Sequence, residues 1–275
     1  MRPPLRETIT RVPRSYGLSP RNAGAEAAAL PVDCADQALT DTDFDTAAWQ
    51  RAAALCRSGL RRVVVRELPK PEGAFDGSIA IRAVIAPPPR PDPSALQDLS
   101  DQGVQGLRFA LDANSDPYAI LGWAERVVTL GWHVEVELPN GNATSRLTNA
   151  EWALLQAPVP TCFSGLAGFL ATRNADDPEI AFLLELVEMG RFWLKLSDAE
   201  VSGAGPATRE LLHRLVNAAM DLREDRLVWG SGQPRAPRDP EKHLDTMIGT
   251  LRELLPDATS RSRVLWSNPA ALYHF

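Results

Sequence analysis

Ten polar side chains stand at or just beyond the predicted carboxyl ends of apolar strands, and four of them are cations. They are Arg66, Arg108, Glu137, Cys162, Ser164, Lys195, Ser197, Ser231, Gln233 and Arg235. An arginine offers a planar fork that binds a carboxylate or phosphate through two hydrogen bonds, and a lysine offers a compact charge whose pKa shifts when it is buried. The set therefore suits a small anionic ligand.

Arg108 and Lys195 stand out because each lies inside an apolar strand, Arg108 between leucine and phenylalanine and Lys195 between two leucines. A charge there is costly unless it faces a polar cavity, so we expect both side chains to hold the anion. We predict Glu137 and Lys195 as the catalytic residues, with Glu137 as the general base, since no histidine is available at the same strand ends. The alternative for Glu137 is a structural ion pair with Lys195.

The other eight candidates are predicted to bind substrate, and three of them have a simpler interpretation. Arg66 and Arg235 lie in or next to loops, where a solvated side chain is equally expected. Cys162 could be a nucleophile, but a cysteine without an identifiable histidine partner is more often a small buried hydrophobe.

These residues need a scaffold that brings strand ends together, and the sequence predicts eight strands with helical stretches between them. The strands are residues 31–36, 61–66, 78–86, 104–111, 133–138, 158–163, 192–197 and 226–231. Such alternation predicts a parallel α/β sheet, and eight strands in about 250 residues are typical of a closed barrel. We predict one (β/α)8 TIM barrel over residues 31–275. An arm over residues 1–30 precedes it and is flexible, wraps the surface, or docks another subunit.

Helix signals separate the predicted strands at five places. One helix is predicted over residues 45–58, and a capping-box pattern at 148–151 opens a second helix that runs to about 156. An apolar run predicts a third helix over 178–189. First-turn prolines at 206 and 240 open two further helices, which run to about 222 and 255. The connection over residues 67–77 is too short and too rich in proline and glycine for a crossover helix. We expect the outer ring of the barrel to be thin there.

The composition excludes several classes of partner. The net charge of -6 gives no basic excess of the kind that nucleic acid requires, and no stretch approaches the roughly 18 apolar residues of a membrane span. Cys34, Cys56 and Cys162 form no CxxC pair, so neither a disulfide framework nor a structural zinc site is expected. We therefore predict a cytoplasmic protein whose partner is a small anionic molecule. A homo-oligomer or a partner subunit stays open.

Four motifs carry a resemblance to a known family, and they occur in the family's order. They are GVQGLRF at 103–109, FWLKLS at 192–197, DRLVWGSGQPR at 225–235 and NPAALY at 268–273. They resemble the fourth, seventh and eighth strands and the carboxyl-terminal segment of the amidohydrolase superfamily. The nearest branch is that of 2-pyrone-4,6-dicarboxylate hydrolase and the sugar-lactone hydrolases. The resemblance implies an amidohydrolase-like barrel and a carboxylated lactone as ligand.

The departures from this family all fall on its catalytic positions. Gly232 stands where the family carries the aspartate that ligates a metal or activates water. Ala35 and Gln37 replace the two histidines of strand one. Cys162 and Phe163 replace the Asp-His pair of strand six, and Arg235 replaces the last histidine. The four histidines of the chain, His133, His213, His243 and His274, are predicted to lie on outer helices, at the terminus or at the far end of strand five. We therefore expect no metal and no other cofactor.

Two functional hypotheses follow. The first is a diverged, metal-independent protein that binds a small carboxylate or lactone and catalyses its hydrolysis or isomerisation. The alternative is a catalytically inactive barrel retained as a scaffold or binding subunit, with the arm or the thin side as its contact surface. An open pocket with converging cations would favour the first hypothesis, and a mouth closed by side chains such as Phe163 would favour the second.

Overall fold

The computed structural model describes residues 37–42, 60–66, 68, 80–89, 92–112, 115–138, 147–232 and 240–275. Eight strands lie within these ranges and are named β1 to β8 in chain order. They are Gln37–Thr42, Leu60–Val65, Ala80–Ile85, Val104–Ala110, His133–Glu137, Thr161–Ser164, Phe192–Ser197 and Leu227–Gly230. Seven of the predicted strands, β2 to β8, are therefore confirmed to within about three residues at each end.

The seven strands β2 to β8 form one curled parallel sheet in sequence order. β1 pairs with β2, and its Thr40 pairs with Gly230 of β8, so the strand order closes on itself. The predicted α/β fold is confirmed. In a curled parallel sheet all carboxyl ends lie at one edge, where the predicted site residues would meet.

The position predicted for the first strand is wrong. The segment that pairs with β2 and β8 is Gln37–Thr42, whereas residues 31–36 lie outside the described residues. The two threonines of β1 are β-branched and suit a strand, while a proline and two aspartates in 31–36 do not. Gln37 therefore begins β1 at the amino edge of the sheet, away from the edge where we placed it.

Within the described residues, ten α-helices follow or connect the strands, and they are named α1 to α10. They are Pro93–Asp101, Pro117–Val127, Glu151–Gln156, Leu166–Leu170, Pro178–Glu188, Asp198–Gly203, Pro206–Arg223, Pro240–Leu254, Ala258–Ser262 and Asn268–Tyr273. The helices predicted from about 151, 178, 206 and 240 are confirmed. The predicted helix over 45–58 and all of the 67–77 connection except Leu68 lie outside the described residues. No described helix has both the length and the apolar character of a membrane span.

The capping box predicted at Thr148 is also wrong. The Thr148 hydroxyl donates to Glu179 Oε1 at 2.8 Å instead, and no side chain caps α3. Glu179 is buried at the start of α5 and also accepts hydrogen bonds from the Leu147 and Thr148 amides and from Arg173. These donors lower the pKa of Glu179 although burial alone would raise it. A contact between distant segments has replaced the local cap.

Two apolar clusters divide the core between the faces of the sheet. The larger lies between the strands and the helices, and the smaller lies inside the curled sheet and contains Val64, Val84, Cys162, Trp193, Val228, Leu272 and Tyr273. Alternation along each strand separates the two sets, since successive side chains point to opposite faces. Tyr273 of α10 packs edge-on against His133, the first residue of β5, with ring centroids 5.1 Å apart. The last helix therefore fills the amino end of the sheet, and the carboxyl end is left for a site.

Candidate functional site

Arg108 of β4 lies beside two carboxylates of β5. The strand register pairs Arg108 with Glu135 and Ala110 with Glu137. Arg108 Nη2 donates to Glu137 Oε2 at 2.7 Å, while its Nε lies 3.6 Å from Glu135 Oε1. The Arg108 side chain is 22% exposed and that of Glu137 is 45% exposed. This pair therefore lies at the rim of the carboxyl edge, within reach of solvent.

A second ion pair lies deeper and joins β5 to β7. Lys195 Nζ is 2.6 Å from each of the two carboxylate oxygens of Glu135, and the two side chains are only 5% and 2% exposed. The Ser164 hydroxyl donates to the same carboxylate at 3.1 Å. Burying a charge without such partners would cost several kcal/mol, so these contacts explain how two ionised groups are tolerated inside the sheet.

The carboxylate that pairs with Lys195 is Glu135, and the predicted alternative of a Glu137–Lys195 pair is wrong. Glu135 is the residue of the site that our sequence reasoning missed. Its signal was the alternation His133, Glu135, Glu137, which puts all three on one face of β5. Glu135 lies two residues before Glu137 on that face, further from the carboxyl edge, and needs a buried cation as partner. Lys195 is the cation at the same depth in the sheet.

The two ion pairs border a narrow cleft. It is lined by Val64, Val65, Arg66, Val84, Arg108, Glu135 and Lys195. Three cations and one carboxylate thus face the same small space, with Glu137 at the rim beside Arg108. The structure brings together Arg66, Arg108 and Lys195 as the sequence predicted.

Cys162, Ser197 and Ser231 are described and do not line this cleft. Cys162 is fully buried in the inner apolar cluster, one position below Ser164 on the same face. Ser197 caps α6, accepting a hydrogen bond from the Glu200 amide and donating to the Glu200 carboxylate at 2.7 Å. Ser231 is buried beyond the end of β8, where its carbonyl accepts from the Ala199 amide. Gln233 and Arg235 lie outside the described residues.

Phe163 lies on the outer face of the sheet and does not close its mouth. The ring is fully buried in the outer cluster and stacks on Phe192 at a centroid distance of 5.8 Å. The side chains of Cys162 and Ser164 lie on the inner face of β6, because neighbouring residues of a strand alternate between faces.

Gly232 is held where a larger residue does not fit. Its φ of 62° lies in the left-handed region, and a Cβ there would meet Ser197 Oγ at 2.4 Å and Ser197 Cβ at 2.7 Å. Real Cβ atoms do not approach other atoms so closely. The space in which the family's aspartate would begin is thus occupied by the residue that caps α6.

His133 is a buried neutral histidine that packs against Tyr273 of the last helix. Burial in the sheet interior, reinforced by the positive charge of Lys195, lowers its pKa from 6.5 to about 3 against the opposing effect of the Gln105 backbone. Below about pH 6.5 the His133 ring is therefore protonated in the unfolded chain but stays neutral in the folded protein. This histidine makes the fold less stable as pH falls from 6.5 towards 3. It lies at the amino end of β5, as predicted.

The residues at the family's metal positions do not fit a hydrolytic metal. Such a site needs about three histidine, aspartate or glutamate ligands. Cys162, Phe163 and Gly232 are the residues present where those positions are described. Across the described ranges no three His, Cys, Asp or Glu side chains come together as a ligand set.

Curated relatives of the chain are lactone hydrolases. It is 24% identical over 187 residues to the 4-sulfomuconolactone hydrolase of Hydrogenophaga intermedia, covering 65% of this chain and 60% of that protein. It is 24% identical over 190 residues to the enzyme of the same name from Rhizobium radiobacter, covering 65% and 61%. The chain thus spans about three fifths of the length of these relatives. No protein-family model matches it.

A solved structure of the same kind shares the fold. It is described as a probable 2-pyrone-4,6-dicarboxylic acid hydrolase of Acinetobacter baumannii with citric acid bound. The TM-score is 0.66 at 16% identity, over 88% of this chain and 100% of that one. At this identity the likeness establishes the fold alone. Together with the named relatives it confirms the resemblance to the lactone-hydrolase branch of the amidohydrolase superfamily.

Proposed function

We propose that the protein binds a small carboxylate or lactone at the carboxyl ends of β4, β5 and β7, and hydrolyses or isomerises it without a metal. The observation that carries this proposal is the Arg108–Glu137 pair, which lies partly exposed above the buried Lys195–Glu135 pair. A guanidinium that already binds a carboxylate at 2.7 Å has the geometry to bind that of a ligand.

The proposed scaffold is a complete (β/α)8 barrel over residues 31–275, with residues 1–30 as a separate arm. The closed strand order supports it, as does the succession of helices after β3 to β8. In this architecture the ligand would enter from the carboxyl edge, above the cleft.

The proposed ligand class agrees with the relatives' names. Both curated relatives are named for a lactone that also carries a sulfonate, and the structural neighbour holds citric acid, a tricarboxylic acid. An anionic group on a cyclic ester is common to the 4-sulfomuconolactone and the 2-pyrone-4,6-dicarboxylic acid of these names. The cations around the cleft would hold such a group and orient the ester carbonyl above it.

The proposed chemistry uses Glu137 as general base. Its carboxylate removes a proton from water while the water oxygen adds to the lactone carbonyl carbon. The charges of Arg108 and Lys195 stabilise the oxyanion that forms, since preorganised cations act most strongly where charge develops. The ring C–O bond then breaks, and the proton held by Glu137 passes to the leaving oxygen, giving a hydroxy acid. Isomerisation would use the same base to move a proton between carbon atoms.

The absence of a metal from this proposal rests on residue types. Phe163 and Gly232 offer no ligand atom in their side chains. Metal analysis tests the point directly. Protein dialysed without chelator should contain well below one zinc or manganese per chain, and about one retained ion per chain would contradict the proposal.

Binding is tested by titrating citrate and small dicarboxylates against the purified protein and following its thermal stability. A ligand that binds only the folded state raises the midpoint, by an amount that corresponds to about 2.7 kcal/mol at a hundredfold excess over Kd. Arg108→Gln should abolish the shift. An equal shift in the wild type and in Arg108→Gln would contradict the proposed site.

A catalytically inactive scaffold is the second candidate. The observation in its favour is that Glu135 and Glu137 already neutralise two of the cleft's cations, and that the cleft is narrow. This hypothesis predicts no midpoint shift with any carboxylate or lactone and no turnover of a lactone panel. A shift that depends on Arg108 would exclude it.

A further inference from the structure

The carboxylate of Glu137 occupies the position on Arg108 that the proposed function assigns to the ligand. Its Oε2 accepts from Arg108 Nη2 at 2.7 Å. With 45% of its side chain exposed, Glu137 can leave this contact without unpacking the core. The chain thus presents its own carboxylate to its own anion-binding group.

Glu137 satisfies only half of the guanidinium edge that it contacts. Nε and Nη2 lie on the same edge of an arginine and together bind one carboxylate through two parallel hydrogen bonds. In Arg108, Nη2 is bonded to Glu137, while Nε is buried without a hydrogen bond among the described residues and lies 3.6 Å from Glu135. A ligand carboxylate that met both nitrogens would make two bonds where Glu137 makes one.

Gly165 helps to hold Glu137 in this place. Gly165 follows β6 with a φ of 79°, and a Cβ there would lie 3.2 Å from Glu137 Cγ. The Glu137 side chain therefore runs close along the Gly165 backbone towards Arg108. Its present position is defined by packing as well as by charge.

We infer that Glu137 is an internal competitor of the ligand: an incoming carboxylate displaces it from Arg108, and the displaced Glu137 becomes the free carboxylate beside the bound ligand. The inference rests on the proposed function, because it assumes that ligands bind Arg108. It assigns a specificity. A planar carboxylate that fits the Nε–Nη2 edge displaces Glu137, whereas a neutral lactone without an anionic group does not.

The inference is tested by measuring citrate affinity calorimetrically for the full chain and four variants. Glu137→Gln removes the competing charge, and Glu137→Asp keeps the charge but shortens the side chain by one methylene, so that it no longer reaches Nη2. Both should bind citrate about three- to tenfold more tightly than the wild type, since a partly exposed ion pair is modest in strength. Arg108→Gln should weaken binding more than tenfold. Glu125→Gln is the matched control, because Glu125 is exposed near the carboxyl end of α2 and its loss changes the net charge equally.

The outcomes separate the competitor from its alternatives. Tighter binding in both Glu137 variants, with the control unchanged, supports the inference. Tighter binding in Glu137→Gln alone would show that Glu137 acts through its charge at a distance, and this overturns direct competition. Unchanged or weaker binding in both variants, with Arg108→Gln still defective, overturns the inference and leaves the proposed site intact. Citrate binding that is indifferent to Arg108→Gln overturns the proposed site and the inference with it.

Discussion

The buried Lys195–Glu135 pair gives the sharpest prediction about stability. Lys195→Met removes the cation and leaves Glu135, among its described contacts, the Ser164 hydroxyl at 3.1 Å and Arg108 Nε at 3.6 Å. Breaking a buried pair from one side costs about 3–5 kcal/mol, because a charge is left without its partner. Arg108 compensates in part, so we expect a loss of about 2–4 kcal/mol for Lys195→Met.

Glu135→Gln should cost more than Lys195→Met. It removes the carboxylate that lies 2.6 Å from the buried Lys195 Nζ, and it also removes a negative charge 3.6 Å from Arg108 Nε. We expect a loss of about 3–5 kcal/mol for this variant. The double variant has no unpaired charge and should be less destabilised than either single variant. The singles therefore should not add, and the coupling energy should exceed about 2 kcal/mol.

Urea unfolding followed by tryptophan fluorescence measures these differences, since Trp132, Trp193 and Trp229 are all buried. In thermal unfolding, each kcal/mol corresponds to a midpoint shift of about 2–4 °C for a domain of this size. A double variant whose loss equals the sum of the two singles, within about 0.5 kcal/mol, would refute the ion pair. It would also remove the reason for placing Glu135 in the site.

Three further predictions concern other parts of the fold. His133→Leu should flatten the dependence of the unfolding free energy on pH. Between pH 6.5 and 4.5 the wild type should lose about 2 kcal/mol through His133, because only the unfolded chain protonates this ring. Equal slopes of unfolding free energy against pH in the two proteins would contradict this. Gly232→Asp should lose about 2–4 kcal/mol from overpacking and left-handed strain, and should show no zinc-dependent lactonase activity. Adding Ser197→Gly should recover part of that stability, and full stability in Gly232→Asp alone would contradict the steric argument. Glu179→Gln should lower the free energy of unfolding in urea by about 2–4 kcal/mol, because it weakens four hydrogen bonds to a buried carboxylate. The control Glu210→Gln, at an exposed position, should change it by less than about 0.5 kcal/mol.

β7 was predicted with its observed bounds, and it is buried along its whole length. A parallel strand that is covered on both faces is written as a nearly continuous apolar run. A charged residue inside such a run, as at Lys195, is then visible as an exception. For this reason Lys195 in β7, like Arg108 in β4, stands out in the sequence.

The partner of Lys195 was not predictable from any one strand. Glu135 and Glu137 lie on the same face of β5, and only their depth along the sheet axis separates them. That depth depends on the stagger between β5 and β7, which are not neighbours in the sheet. The hydrogen bond from Thr148 to Glu179 shows the same limit, because it joins residues 31 positions apart and overrides the local capping pattern.

The packing around Gly232 leaves no room for a larger side chain. The left-handed φ of this residue brings its backbone against Ser197, whose hydroxyl is in turn engaged by Glu200 of α6. An aspartate at this position would have to displace the residue that begins that helix. A carboxylate at this position would therefore require further substitutions around Ser197. Among the described residues at the sheet edge, Arg108 and Glu137 are a pair that both bind each other and reach solvent.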